Sequence, residues 1–158
     1  MASDTLLVRQ PHRTLDAACA PLDLHVWRGL ERPLVEEPHP CPQIHGHDAI
    51  GDLSPPLSAT TRAAGAGHAV QRLLEALRSA PAPITIVALA PLSNLGVAIR
   101  LDPELCRRKI RRVVWMGGSA FAGGNCTAWA EANAAYDPEA CHIVLTSGIP
   151  ISMYTWDA

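Results

Sequence analysis

Residues 123–139 run GGNCTAWAEANAAYDPE, and three side chains within them, Asn125, Glu131 and Asn133, can each hold a hydroxyl group. An amide donates and accepts, and a carboxylate accepts through two oxygens, so the set suits a polyol such as a sugar. The neighbours are Gly, Ala and Trp, not the charges of a solvated loop or the Leu and Ile of a core helix. Ala on both sides of Glu131 implies an enclosed carboxylate. Plainer roles exist beside this one: Asn caps helices and satisfies turn backbone, and Glu131 would serve as a surface charge. Cys126, next to Asn125, has no evident paired base and is expected to be a small buried thiol. His45 and His47 form an HxH pair, but two imidazoles without a third ligand argue poorly for a metal, and His47 is expected in solvent.

These residues need elements to position them. Ile84–Leu89 is a continuous apolar run, β-branched at first, as expected of a strand buried on both faces. Pro91–Asn94 forms a turn, and Ser93 or Asn94 is expected to cap a short helix reaching about Leu101. Asp102-Pro103-Glu104 opens another helix: Asp supplies the cap oxygen, Pro presets the first helical φ, and Glu suits the positive end of the dipole. Val113–Met116 is a short buried strand stopped by Gly117-Gly118, and Asp137-Pro138-Glu139 repeats the helix opening, leading to about Thr146. Ile151–Tyr154 is a last strand. Strand and helix alternating at these lengths predict an α/β fold with right-handed crossovers and a mostly parallel sheet flanked by helices. Ligands of such sheets bind beyond the carboxyl ends of the strands, where APLSN, MGGSAFAGGN and, in the upstream loop, IHGHDAIGD are expected. Upstream, Arg62–Ser79 is an amphipathic helix with Val70, Leu73, Leu74 and Leu77 on one face. Leu22, Leu24 and Val26 alternate as in a strand, and residues 29–58 form a long Pro-rich loop.

The chain has 158 residues, 48% hydrophobic and 18% charged, which suits one packed domain. A net charge of -2 gives no electrostatic reason to bind nucleic acid or anionic lipid. The one dense run of charge, Arg107 to Arg112, is expected at a helix C-terminus and has no aromatic platform for nucleic acid. Five scattered cysteines without a CxxC pair fit reduced thiols and a cytoplasmic location. The first residues, MASDTLLVRQPHRT, lack the apolar run of a secretory signal, and ITIVALAPL is too short to span a bilayer, so no membrane partner is expected. Residues 1–24 are the least interpretable part, and 25–158 form the expected domain.

With the motifs in hand, the chain resembles the inosine/uridine-preferring nucleoside hydrolase family over about residues 25–157. The resemblance is carried by ERPLV at 31–35, IHGHDAIGD at 44–52, ITIVALAPLSNLGVAIRLDPEL at 84–105, VVWMGGSAFAGGNCTAWAEANAAYDPEA at 113–140 and SGIPISMYTWD at 147–157. It implies a Rossmann-like hydrolase core that cleaves the N-glycosidic bond of ribonucleosides to ribose and base. It also implies that Asn125, Glu131 and Asn133 hold the ribose hydroxyls and that His45 lines the nucleobase side. Ser93 stands where the family, usually with Thr, helps ligate a calcium ion through its backbone carbonyl. Several features of the pattern depart. The aspartate cluster DxDxxxDD that opens the family is not found, Asp4, Asp16 and Asp23 standing alone. The family's later metal-ligating Asp and its His that assists the leaving base are expected beyond Ala158. Within the motif, Ala128 and Ala132 replace the usual Pro and Phe, and Ser93 lies in APLSN where GPLTN is commoner. The expectation is therefore a truncated hydrolase core with an intact sugar grip and an incomplete calcium shell, since calcium takes about six to eight oxygens. Such a chain would be weakly active, or would be an inactive remnant that binds ribosides weakly or pairs with a full-length homologue. Uncovered strand edges would favour self-association.

Overall fold

A computed structural model describes residues 27–38, 46, 47, 52 and 66–158 of the chain. In order, its elements are α1 (Ala69–Ser79), β1 (Ile84–Ala88), α2 (Ser93–Leu101), α3 (Pro103–Lys109), β2 (Ile110–Met116), α4 (Ala132–Tyr136), α5 (Pro138–Leu145) and β3 (Ile151–Tyr154). The expected alternation Leu22–Val26, His45, most of the long loop and the start of the expected helix at 62–65 lie outside the described residues.

Local chemistry sets most of these boundaries. Asp102 and Asp137 cap α3 and α5 through Leu105 N and Ala140 N, each with Pro at the head of the helix. Helix α1 runs from Ala69, where the His68 side chain accepts from Val70 N at 3.2 Å and so caps it, against an expected start at Arg62. Helix α2 has Leu92 as its N-cap without a side-chain bond. Asn94, an expected cap, instead accepts from Leu30 N at 2.9 Å, pinning the 27–38 segment to the start of α2. Helix α4 has no counterpart in the sequence-based expectation.

The three strands are parallel in the order β1-β2-β3, giving the mostly parallel α/β architecture expected. Register places Ile86, Val113 and Ile151 in one row and Ala88, Trp115 and Met153 in the next. Val113 and Trp115 on this face join the buried residues of four helices in one core: Val70, Leu74 and Leu77 of α1, Leu95, Ala98 and Ile99 of α2, Leu105 and Cys106 of α3, and Ala140, Cys141 and Val144 of α5. The alternate rows fare differently. Val87 and Tyr154 on the other face are each 63% exposed, so β1 alternates in burial where burial on both faces was expected. Arg111 and Arg112 lie exposed in β2 and not, as expected, at the end of a helix. No described helix is long and apolar enough to cross a membrane.

Candidate functional site

Asn125, Glu131 and Asn133 come together just past the carboxyl end of β2, around the N-terminus of α4. A helix start presents backbone N–H groups without intrahelical partners, and Asn125 and Glu131 take them up. Asn125 Oδ1 accepts from Ala132 N at 2.8 Å. The Glu131 carboxylate accepts from Asn133 N at 2.9 Å through Oε1 and from Ala134 N at 3.2 Å through Oε2. Oε2 also accepts from Gly118 N at 2.8 Å, which ties the loop after β2 to α4. Asn133 Nδ2 donates to Met116 O at 3.0 Å, binding the helix back to the last residue of β2. Glu131 is 2% exposed, so the enclosure inferred from its flanking alanines is real, and its oxygens face mainly backbone. Among the described residues no partner bonds the Asn125 amide nitrogen or the Asn133 amide oxygen, and Glu131 Oε1 accepts one backbone bond where a carboxylate oxygen can accept two. A donor and two acceptors form a fitting set for vicinal hydroxyls.

Ser93 is fully buried, and its hydroxyl donates to Asp137 Oδ2 at 2.5 Å. Asp137 is a three-way junction: Oδ1 accepts from Ala140 N at 2.9 Å, while Oδ2 takes the Ser93 hydroxyl and Leu34 N at 3.1 Å. The carboxylate thus joins α2, α5 and the 27–38 segment, a role its sequence context as a helix cap only half reveals. The Ser93 carbonyl belongs to the first turn of α2 and offers a metal a single oxygen. Among the described residues no group of three or more His, Cys, Asp or Glu could hold a metal ion, and Asp137 is committed to backbone and hydroxyl donors. This donor set does not fit a calcium shell of about six to eight oxygens. His47 is exposed as expected, with Nδ1 3.4 Å from Asp52 Oδ2.

The loop between β2 and α4 is gripped from two sides. Gly117 is required at its start, because a Cβ there would stand 2.3 Å from the Trp115 ring. Gly118 follows with φ +77, turning the chain toward Glu131. Beyond β3, Gly117 N donates to Tyr154 O at 3.2 Å and Trp156 N to Gly118 O at 2.9 Å. Asp157 then accepts from three successive backbone groups, Ala120 N and Phe121 N at 2.7 Å and Ala122 N at 2.5 Å. These bonds hold its carboxyl well below the usual carboxylate range. Asp157 went unnoticed in the sequence. Its signal was positional: in a parallel order the residues after β3 reach the same edge as those after β2. Phe121 and Trp129, 97% and 86% exposed, stand out from this loop region. Cys126 is exposed on it too, correcting the expected burial, because the turn closed by Cys126 N to Ala130 O at 3.0 Å lies on the surface. Cys106 and Cys141 are the buried thiols.

The same chain was compared with known proteins. Residues 6–158 match the family model described as inosine-uridine preferring nucleoside hydrolase. A putative pyrimidine-specific ribonucleoside hydrolase RihB of Shigella dysenteriae is 38% identical over 142 residues, covering 88% of this chain and 51% of that protein. Among solved structures, the plant nucleoside hydrolase PpNRh1 superposes with a TM-score of 0.87 at 30% identity, covering 99% of this chain and 50% of its own. The purine-preferring ribonucleoside hydrolase from Gardnerella vaginalis gives 0.85 at 29% identity, with 96% and 48% covered. The chain spans about half the length of the curated relatives it matches.

Proposed function

Because the chain belongs to the inosine-uridine preferring nucleoside hydrolase family, we propose that it carries the sugar-binding part of a ribonucleoside hydrolase, a site serving hydrolysis of the N-glycosidic bond to ribose and base. What supports this most is the hydrogen-bonded convergence of Asn125, Glu131 and Asn133 beyond the end of β2. In this reading the Asn125 amide nitrogen donates to a ribose hydroxyl while Asn133 Oδ1 and Glu131 accept from others. Bonds to sugar hydroxyls that tighten in an oxocarbenium-like transition state contribute several kcal/mol to glycoside cleavage. The buried Glu131 carboxylate also favours cationic charge on the ring. For His45 the family resemblance alone suggests a role on the nucleobase side. The relatives divide between pyrimidine-specific and purine-preferring enzymes, so the proposed substrate is a ribonucleoside without a stated base.

Calcium is the metal implied by the family resemblance, and the 158 residues lack the aspartate cluster that resemblance calls for. We therefore take the polypeptide itself to bind calcium weakly and to turn over ribosides slowly or not at all, in a cytoplasmic setting. Titration calorimetry with calcium chloride and inosine, followed by an assay for free ribose, tests both halves. Heat with inosine but little with calcium, and little ribose released, is the expected result. Tight calcium binding with ribose release would show that the metal site is complete after all. No heat with inosine, with or without calcium, removes the sugar site.

A second reading is favoured by the exposed face of the sheet, where Val87 and Tyr154 stand open. It takes the chain as a catalytically inactive remnant that binds ribosides weakly or associates with a full-length homologue. Mixing with such a homologue and measuring mass by light scattering separates the two, since only the second forms a mixed species.

A further inference from the structure

Two carboxylates divide the backbone donors of one loop between them. Glu131 takes Gly118 N, and Asp157 takes Ala120, Phe121 and Ala122 N. The arc they hold begins at the end of β2 and runs directly into Asn125, whose Oδ1 then caps α4 at Ala132 N. The same carboxylate also takes the longer contact of Ser119 Oγ with Asp157 Oδ2 at 3.5 Å. We propose that Asp157 is a positioning residue for the sugar site: by clamping the 120–122 backbone it fixes the path of the loop and hence the reach of the Asn125 amide toward a riboside.

The proposal rests on the sugar-binding reading above but adds a residue to which the resemblance gave no role and which lies outside the capping cluster. Its chemistry is that of an anion held by successive backbone N–H groups, where charge-assisted bonds are shorter and stronger than neutral ones. An amide in place of the carboxylate would lose the charge, keep one oxygen for part of those donors and turn an NH2 group toward the rest. Asp157 sits at the surface, so its loss leaves the hydrophobic core intact. The lowered pKa of the carboxyl agrees with a tight clamp.

The test uses the full chain as wild type, Asp157→Asn and Asp157→Glu, with inosine as the probe. In Asp157→Asn, amide exchange at residues 120–122 should quicken about tenfold or more while Val113–Trp115 keep their protection, and inosine affinity should fall about tenfold. Asp157→Glu, which keeps the charge, should recover part of both. Unchanged exchange at 120–122 in Asp157→Asn overturns the clamp, and a freed loop with unchanged inosine affinity overturns its role at the site. If Asp157→Asn does not fold, the wild-type carboxyl decides by NMR titration: a midpoint well below the ordinary aspartate range supports the clamp, and an ordinary one refutes it. If the wild type binds no inosine, the sugar-binding reading fails and the positioning role falls with it, while the exchange and titration results still show whether Asp157 holds the loop.

Discussion

Glu131 shows how one residue can serve structure and ligand together. Its carboxylate offers about four acceptor directions, and backbone N–H groups of Gly118, Asn133 and Ala134 take three. A residue that only gripped a sugar could be removed without loss of stability. Glu131→Ala instead leaves those three donors buried or half-buried without a partner, and should cost about 1–3 kcal/mol in urea unfolding. Glu131→Gln, which keeps one oxygen, should cost less. A stability equal to wild type for both variants would return Glu131 to the role of a ligand side chain alone. The thiols give a second residue-scale expectation. Burial, then Asp137 and Glu131, push the Cys141 thiol from 9.0 up to about 12, and burial, then Asp102, raises that of Cys106. Iodoacetamide at pH 8 should therefore modify Cys126 in the native chain and spare Cys106 and Cys141, as peptide mass spectrometry can read. The sign for stability follows: with the folded pKa raised, the Cys141 contribution is complete below about pH 9 and is lost as pH climbs toward 12. Cys141→Ala should flatten that alkaline slope in a pH series of thermal melts.

At the scale of elements, the parts legible in the sequence were those written locally. Both Asp-Pro-Glu openings cap the helices they announce, and β3 falls on Ile151–Tyr154 as its apolar run implied. What escaped was either too short or tertiary. Helix α4 has five residues and a Glu as its cap, which is not a typical capping residue. Asn94 has the type of a cap but is used by Leu30, more than sixty positions away in the sequence. Asp137 was visible as a cap, whereas its bonds to Ser93 and Leu34 depend on how α2, α5 and the 27–38 segment meet. The site followed the same rule: its three polar residues were evident from type and spacing, but the clamp from Asp157 needed the strand order. Gly117 joins the two kinds of information, since a glycine after a strand suggests a turn while its need for space comes from Trp115. Because Trp115 is 1% exposed and its Nε1 donates to Ala90 O at 3.3 Å, its ring cannot swing aside freely. Gly117→Ala should destabilise the fold by about 1–3 kcal/mol through overpacking, visible as a lower melting temperature, and should disturb the loop that Glu131 and Asp157 hold.

Among the described residues, helix packing lies on one side of the sheet. Four helices bury their apolar faces against the Val113–Trp115 face of the sheet, while Val87, Tyr154 and the neighbouring Leu89 remain largely exposed on or beside β1 and β3. Among the described strands, β1 and β3 are also the edges, offering unpaired backbone groups next to this apolar surface. Patches of this kind commonly mark an interface, which makes self-association the expected behaviour of the chain in solution. Light scattering on a dilution series should show a mass that rises with concentration. Val87→Lys combined with Tyr154→Glu places charge on both outer strands and should shift the series toward monomer. Both positions are exposed, so the double variant should melt at close to the wild-type temperature, with changes within about 0.5 kcal/mol per site. A wild-type chain that stays monomeric throughout the series would mean that this face is covered within the chain itself, and the expectation of self-association would then be withdrawn. A monomeric double variant that still binds inosine would place association and sugar binding on separate surfaces.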